Sequence, residues 1–278
     1  MVQPGCPTTG CPTTGSPIGQ PIGGPFCSPL CGPLVARFSP SHQDLLITVL
    51  LYAYWATAWN ILGGMAGQLS FGHATFIGTG AYTSSILFVK FGVNPWLGML
   101  AGAALAAALG LFVGYASFRY GLRDVYFSLT TLAFGEIIFL LIANTDYHGL
   151  FGGQGGVRFS VVEPSPVVFQ FGSKLGYYYV IAPLLVVALT LTWWIRRSQL
   201  GYYLIAIREN ERAAQAIGID ITRYKLVAVA LSAALTALGG TFYAQYYLFI
   251  DPPSVLQSSL SIAVLLPAIV GGMDTRMG

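Results

Sequence analysis

Long apolar windows dominate the pattern of hydrophobic and polar positions along this chain. A helix needs about 20 apolar residues to cross a bilayer, and seven windows nearly free of charge reach or approach that length. These windows are residues 45–64, 69–89, 96–117, 122–144, 177–195, 226–247 and 257–272. The pattern predicts an all-α polytopic membrane protein, a bundle of about seven transmembrane helices.

The second window is the least regular of the seven. Glycines stand before it and within it, at positions 63, 64, 67, 72, 78 and 80. Glycine at this density weakens a helix, so the window is either a span or a broken or re-entrant segment. Small residues also recur at helical spacing in two windows, and such faces let membrane helices approach closely. The two stripes are Ala74, Gly78, Ala81 and Ser85, and Ser232, Thr236, Gly240 and Ala244.

The composition supports a membrane protein and excludes several functions. Only 8% of the residues are charged and mean hydropathy is +0.67, whereas soluble domains carry about 25% charged residues. The net charge of +3 is too small to indicate nucleic-acid binding. The sequence has no G-x-x-x-x-G-K-[ST], H-E-x-x-H or G-x-S-x-G motif. We therefore expect no ATP hydrolysis by this chain, no enzymatic activity and no cofactor.

The N-terminal segment differs from the rest of the chain. It contains all four cysteines, Cys6, Cys11, Cys27 and Cys31, among prolines and glycines. The C-x3-C pair has a spacing that zinc can use. However, the segment has no apolar periodicity, which favours a disordered Pro/Gly/Cys-rich tail over residues 1–40 and no metal site. Residues 41–278 then form the transmembrane domain.

Basic residues predict the orientation of the bundle. Arg119 and Arg123 lie in the loop 118–123, and six more lysines and arginines lie in the loop 196–225. Two predicted spans separate these loops, so they share one face, and the positive-inside rule makes it cytoplasmic. The N-terminus is then external, provided that 69–89 crosses the membrane.

Polar residues inside apolar windows are candidates for a solute pathway. Glu136 stands in YFSLTTLAFGEIIFLLIAN, where an unpaired charge costs about 3 kcal/mol. It serves either the pathway and its gating or a structural pairing. Asn60, Gln68, Ser70 and His73 cluster around the glycine-rich stretch. They either line a polar route or hold irregular backbone together.

The stretch LIAIRENERAAQAIGID concentrates charge in a chain that otherwise has little. Its pattern predicts a helix over residues 204–217, about 21 Å long, that ends at Gly218. Small residues on one side and charges on the rest are typical of a helix that docks in a groove of a cytoplasmic partner. An interfacial helix on lipid fits less well, because acidic residues are interspersed and no large aromatic occurs. The candidate docking residues are Arg208, Glu209, Glu211, Arg212, Ala213, Ala214 and Gly218.

This loop also resembles a known motif. ERAAQAIGI is similar to the cytoplasmic E-A-A-x-x-x-G loop of ABC importer permeases, with matches at Ala213, Ala214 and Gly218. The acid is displaced by one position to Glu211, and Arg212 occupies its place. GQLSFGHATFIGTGAYTSSIL, YFSLTTLAFGEII and TRYKLVAVALSAALTALGGTFYAQYYLFIDPPS resemble the branched-chain amino acid ABC transporter permeases of the LivM type. The resemblance covers about residues 44 to 278.

The resemblance implies a transport subunit without its own ATPase, in the inner membrane of a bacterium. Its partners would be a homologous second permease, two cytoplasmic ATP-binding subunits and an external solute-binding protein. Branched-chain or related neutral amino acids would be imported by alternating access, with 196–225 as the coupling loop. Members of this family usually continue past GGMDTRMG, so we expect a truncated C-terminus.

Other functions remain open on the sequence. An importer of this type could carry urea, short amides or aromatic amino acids instead. From a different class, a proton-coupled secondary carrier could use Glu136, although such a carrier has no need of a docking loop. A membrane enzyme is disfavoured, since no nucleophile–base pair or metal cluster is evident.

Overall fold

The computed structural model describes residues 40–121, 125–145, 155–158 and 169–271. The predicted tail with its four cysteines lies outside these residues. The helices are α1 Pro40–Asn60, with a π-helical turn Ile61–Met65 directly after it, α2 His73–Phe91, α3 Pro95–Arg119, α4 Val125–Asn144, α5 Lys174–Arg197, α6 Gln199–Glu209, α7 Glu211–Ala216, α8 Ile221–Tyr247, α9 Pro252–Leu256 and α10 Ser258–Val270. Two short strands, β1 Val157–Arg158 and β2 Phe249–Ile250, pair antiparallel.

Six helical segments within the described residues are long and apolar enough to cross a membrane. They are Ser41–Met65, Pro95–Arg119, Val125–Asn144, Lys174–Arg197, Ile221–Tyr247 and Pro252–Val270. Each overlaps one of the predicted windows, so the all-α polytopic fold is confirmed and the chain is a multi-pass membrane protein.

The remaining window, 69–89, corresponds to α2, a helix of 19 residues. Residues 66–72 before it are not helical, so the irregular backbone lies at the start of this window. The predicted break is therefore present, and it is followed by one continuous helix. Most of the residues of α2 are buried.

The small-residue stripe of α8 packs directly against α2, whereas Gly78 of the α2 stripe packs against Leu256 of α9. Every residue of both stripes is buried. A Cβ on Gly80 would overlap the carbonyl oxygen of Ala237, and a Cβ on Gly240 would overlap that of Ile77. The two backbones thus touch, which only glycine permits at these positions. The predicted close packing is confirmed.

Side-chain contacts give the direction of the first helix. Tyr54 donates a hydrogen bond to the carbonyl of Leu235 at 2.7 Å, and Ser232 donates to that of Ala58 at 2.8 Å. Higher numbers in α1 meet lower numbers in α8, so these helices are antiparallel. His73 near the start of α2 meets Ser232, and Gly80 further along accepts a hydrogen bond from Thr241, so α2 runs parallel to α8 and antiparallel to α1.

Both basic loops lie at one end of the bundle. A cavity of ≈ 300 Å³ is lined by Phe118 in the last turn of α3, by Gly121 just after that helix, and by Glu211 and Lys225. At the opposite end, Asp44 of α1 binds Lys174 at the start of α5. The described part of the first basic loop, residues 118–121, therefore shares a face with the loop 196–225, as the charge pattern predicts.

Candidate functional site

The charged loop contains two helices rather than the single helix predicted over 204–217, and that prediction is wrong. Helix α6 ends at Glu209, and Asn210 adopts an extended conformation with φ −157° and ψ 102°. The Asn210 side chain accepts a hydrogen bond from the backbone N–H of Ala213 at 3.1 Å, which caps α7. Asparagine favours such capping over a helix interior, so it interrupts an otherwise helical pattern.

Gly218 ends α7 as the sequence predicts. Its φ of +88° lies in the left-handed region, where a glycine pays no steric penalty. The N–H of Gly218 bonds to the carbonyl of Gln215 at 3.0 Å, and that of Ile219 bonds to the carbonyl of Ala214 at 3.1 Å. This pair of bonds is a Schellman motif, which closes the short helix at a defined residue.

One side of the loop is attached to the chain's own bundle. Glu211 forms an ion pair with Lys225 of α8, whose side chain is only 2% exposed. The ammonium of Lys225 also lies 5.5 Å from the ring centroid of Phe118 at the end of α3. Ala214 is 3% exposed. Glu211 therefore holds α7 against α8, and Ala214 lies on the buried side of α7.

Arg208 attaches the end of α6 to the irregular segment after α1. Its Nη1 donates to the carbonyl oxygen of Gly64 at 2.7 Å, and its Nη2 lies 3.0 Å from a carboxylate oxygen of Glu209. Gly67, with φ +65°, lies so close that a Cβ there would stand 2.6 Å from Cγ of Arg208. The charged loop and the break before α2 are thus in direct contact.

The other side of the loop faces away from the bundle. Glu209, Arg212, Ala213 and Gly218 are exposed, and Ile217 has 76% of its surface accessible. The seven predicted docking residues therefore separate into two sets. Arg208 and Glu211 contact the bundle and Ala214 is buried, whereas Glu209, Arg212, Ala213 and Gly218 form an outward surface.

The break between α1 and α2 is held by buried hydrogen bonds. Trp59 Nε1 donates to the carbonyl of Ser70 at 3.2 Å, and Ser128 of α4 donates to the carbonyl of Leu69 at 2.8 Å. The N–H of Gln68 bonds back to the carbonyl of Leu62 at 3.2 Å. Side chains from two helices thus satisfy backbone groups that lack helical partners.

His73 is completely buried at the first position of α2. Its Nε2 lies 2.9 Å from the hydroxyl oxygen of Ser232, and that hydroxyl donates to the carbonyl of Ala58 at 2.8 Å. Because Ser232 has one hydrogen to donate, Nε2 of His73 carries the hydrogen of a neutral imidazole. This chain of hydrogen bonds joins α1, α2 and α8 close to the middle of α8.

The four polar residues predicted near the glycines occupy different places. Ser70 and His73 are buried together beneath Trp59, whereas Gln68 lines a cavity beside Arg208. Asn60 is the last residue of α1 and is half-buried.

Glu136 lies apart from the break that contains Gln68 and Ser70, at a second interruption. It is half-buried on α4 and accepts a hydrogen bond from the hydroxyl of Ser258, the first residue of α10. Gln257, between α9 and α10, is extended with φ −67° and ψ 141° and is exposed. One turn later, the hydroxyl of Ser261 accepts from the N–H of Ala74 at 2.8 Å. The two interruptions are thus connected through α10.

Four residues that contact the predicted site residues were not themselves predicted as site residues: Gly64, Lys225, Ser258 and Ser261. The serines stand at i and i+3 in an apolar helix that begins directly after Gln257, a few residues past Pro252 and Pro253. That spacing places both hydroxyls on one helix face and is a usable signal. The pairing of Lys225 with Glu211 depends on how three helices pack, and local sequence carries no signal for it.

Comparisons with known proteins agree with this architecture. The family described as "Branched-chain amino acid transport system / permease component" matches residues 42–278. The permease protein LivM of Escherichia coli is 30% identical over 259 residues, which cover 84% of this chain and 59% of that protein. The chain therefore spans less than two thirds of the length of this relative.

Two further relatives are more distant. LivH of Escherichia coli, also a branched-chain amino acid permease, is 24% identical over 82% of this chain and 76% of its own length. The nucleoside ABC transporter permease NupC of Lactococcus lactis is 22% identical over 73% of this chain and 68% of its own. No solved structure gives a significant match. With a family match from residue 42 to residue 278, this chain belongs to the permease components of branched-chain amino acid transport systems.

Proposed function

We propose that this chain is a membrane permease subunit of an ATP-driven ABC importer for branched-chain or related neutral amino acids. The observation that carries the proposal is α7: a short helix, capped at both ends, that is attached to the bundle on one side and exposed on the other. A rigid, outward helix between two spans is the geometry a permease needs to receive movement from a separate ATPase.

The proposed assembly contains this chain, a homologous second permease, two ATP-binding subunits and an external solute-binding protein. The ATP-binding subunits hydrolyse ATP on the cytoplasmic face of a bacterial inner membrane and displace α7. Arg212, Ala213 and Glu209 meet their groove, since these side chains face away from the bundle. Alternating access then results from movement of the two permeases against each other.

The proposed solute pathway passes Glu136. A Cβ on Gly135 would stand 2.8 Å from the hydroxyl of Thr75, so Gly135 lies close to the start of α2. Glu136 is therefore near the level of His73 and of the middle of α8. A carboxylate at this depth suits the ammonium group of a zwitterion. Asn60, Gln68, Ser70 and His73 belong to the wall of the pathway, where they shape the broken segment.

Reconstitution tests the proposal. Proteoliposomes that contain the complex of all five components should accumulate leucine or valine when ATP is supplied on the side that the cytoplasmic face of the complex occupies, the interior of the vesicle. Parallel arms with urea, a short amide and a nucleoside distinguish the cargo, and a proton gradient without ATP tests a secondary carrier. Uptake driven by the proton gradient alone, or no ATP-dependent uptake of any of these solutes, would contradict the proposal.

The same system tests Glu136. We expect Glu136→Gln to assemble normally and to transport more slowly, and Glu136→Leu to be worse because it also leaves the Ser258 hydroxyl without its acceptor. Wild-type rates for both variants between about pH 5 and pH 8 would exclude Glu136 as a gate or a proton site. Ser258→Ala is the matched control, since it removes the hydrogen bond and keeps the carboxylate.

A further inference from the structure

Arg208 is the direct side-chain connection between the charged loop and the break that precedes α2. Its guanidinium bonds to the carbonyl of Gly64, which is separated from Arg208 by 144 positions in sequence. The side chain is 22% exposed, so most of it lies within the protein. This arginine therefore faces the bundle, although it belongs to a motif of docking residues.

Gly64 belongs to a π-helical turn. The turn spans Ile61–Met65, all five residues of which are buried. Such turns are places where a helix changes register or bends, because the extra residue loosens its hydrogen bonding. Gly67, two residues past the turn, is left-handed and lies against the stem of Arg208. Arg208 thus contacts the segment at its least regular point.

There is room for this contact to change. A cavity of ≈ 270 Å³ lies beside it, lined by residues 66–68 of the break and 207–212 of the loop. Gln68 lines this cavity and is 2% exposed, and its Oε1 has no hydrogen-bond partner within the described part of the chain. A buried acceptor without a partner is costly, and a guanidinium with five N–H donors borders the same cavity.

We propose that Arg208 transmits movement of the charged loop to the break between α1 and α2, and that Gln68 is its second acceptor. In the arrangement seen here, the guanidinium holds the carbonyl of Gly64. When α7 is displaced, the guanidinium leaves Gly64 for Oε1 of Gln68, which keeps the number of hydrogen bonds constant. The released π-helical turn then changes register, and the start of α2 moves with it. This inference rests on the proposed function, because it requires an ATPase that moves α7.

The experiment uses the complete transporter in proteoliposomes with leucine as the solute. Arg208→Lys keeps a positive charge and has a compact ammonium in place of the planar fork. Arg208→Met removes the donors, and Gln68→Leu removes the second acceptor and keeps the contact with Gly64. The matched control is Arg223→Met in the same loop, because the Arg223 side chain is 84% exposed and pairs with Asp220. Three quantities are measured: retained ATP-binding subunit, ATP hydrolysis, and leucine imported per ATP hydrolysed.

We expect the Arg208 variants and Gln68→Leu to retain the ATP-binding subunits and to hydrolyse ATP. Leucine imported per ATP should fall by about tenfold, the factor that corresponds to one hydrogen bond to a charged group. Hydrogen exchange of residues 61–72 should respond to ATP in the wild type and in Arg223→Met, and should lose that response in the Arg208 variants. A merely structural arginine would change this exchange equally with and without ATP.

Three results would overturn the inference. The first is wild-type coupling in both Arg208 variants, and the second is loss of the ATP-binding subunit, which would make Arg208 a docking residue. The third is failure of both Arg208 variants to assemble, which would make the contact with Gly64 purely structural. Absence of ATP-driven leucine import by the wild type would instead reject the proposed function, so the two failures are distinguishable.

Discussion

The two sides of the charged loop differ in what surrounds them, although inward-facing and outward-facing residues alternate along the same short stretch of sequence. Arg208 and Glu211 contact the bundle and Ala214 is buried, whereas Glu209 and Arg212 beside them are exposed. The inward residues fix where α7 sits, and the outward ones are free to meet a partner. A motif that looks uniform in sequence therefore combines residues attached to the bundle with residues exposed for the proposed docking.

The difference has an energetic consequence. Lys225 is 2% exposed, and loss of the partner of a buried ion typically costs about 3–5 kcal/mol because the remaining charge is uncompensated. Glu209 is 68% exposed, and such surface pairs contribute about 0–1 kcal/mol. Two glutamates separated by one residue thus differ several-fold in what they contribute to stability.

Charge reversal at the two glutamates should have the largest effect. Glu211→Lys places a second ammonium beside buried Lys225, and we expect the free energy of unfolding to fall by about 3–5 kcal/mol, with loss of bound ATP-binding subunit. Glu209→Lys is the matched control and should leave thermal unfolding in detergent nearly unchanged. The exchanged pair Glu211→Lys with Lys225→Glu should recover part of the loss. Equal unfolding temperatures for the two single variants would refute the division into sides.

The two neighbouring alanines should separate stability from docking. Ala214→Leu forces bulk into a buried position, and we expect a loss of about 1–3 kcal/mol in stability. Ala213→Leu points outward, so it should leave stability unchanged and reduce the amount of ATP-binding subunit that copurifies. The sequence predicts both alanines on the docking side, and for Ala214 the structure corrects this. Equal stability and equal amounts of copurified ATP-binding subunit in the two variants would restore the interpretation that both alanines lie on the docking side.

What the sequence could predict depends on how local each signal is. Hydropathy located the spans, because the length of an apolar window is a property of one segment. Gly218 was predictable because a helix end selects glycine locally. The break at Asn210 was missed because a capping residue and a helical residue look alike inside a helical pattern. The partner of Glu211 was missed because it depends on how α7, α8 and the distant α3 pack together around Lys225.

The end of α7 offers a change of intermediate size. Gly218 has φ +88° and nothing within 4 Å of the Cβ position, so a side chain there meets no steric obstacle from neighbours. We expect Gly218→Val to cost about 1–2 kcal/mol, from the left-handed backbone alone. Gly218→Asn should cost less, because asparagine tolerates this conformation. Fraying of α7 is measured by the amount of copurified ATP-binding subunit and by hydrogen exchange over residues 211–219. Equal results for the valine and asparagine variants would show that the left-handed backbone conformation does not determine the stability of α7.

The outward charges should give the smallest effect and the one most sensitive to salt. Arg212→Glu reverses a charge at the rim of the proposed interface, where charges affect orientation and association rate more than affinity. We expect a several-fold slower association with the ATP-binding subunits at about 0.01 M salt, where the Debye length is about 30 Å. The difference from wild type should disappear near 1 M salt, where that length is about 3 Å. Glu211→Lys provides the contrast, because a buried pair is little screened and its defect should persist at both concentrations. A salt-independent defect in Arg212→Glu would place this arginine among the residues that hold α7 to the bundle and would move the boundary between the two sides.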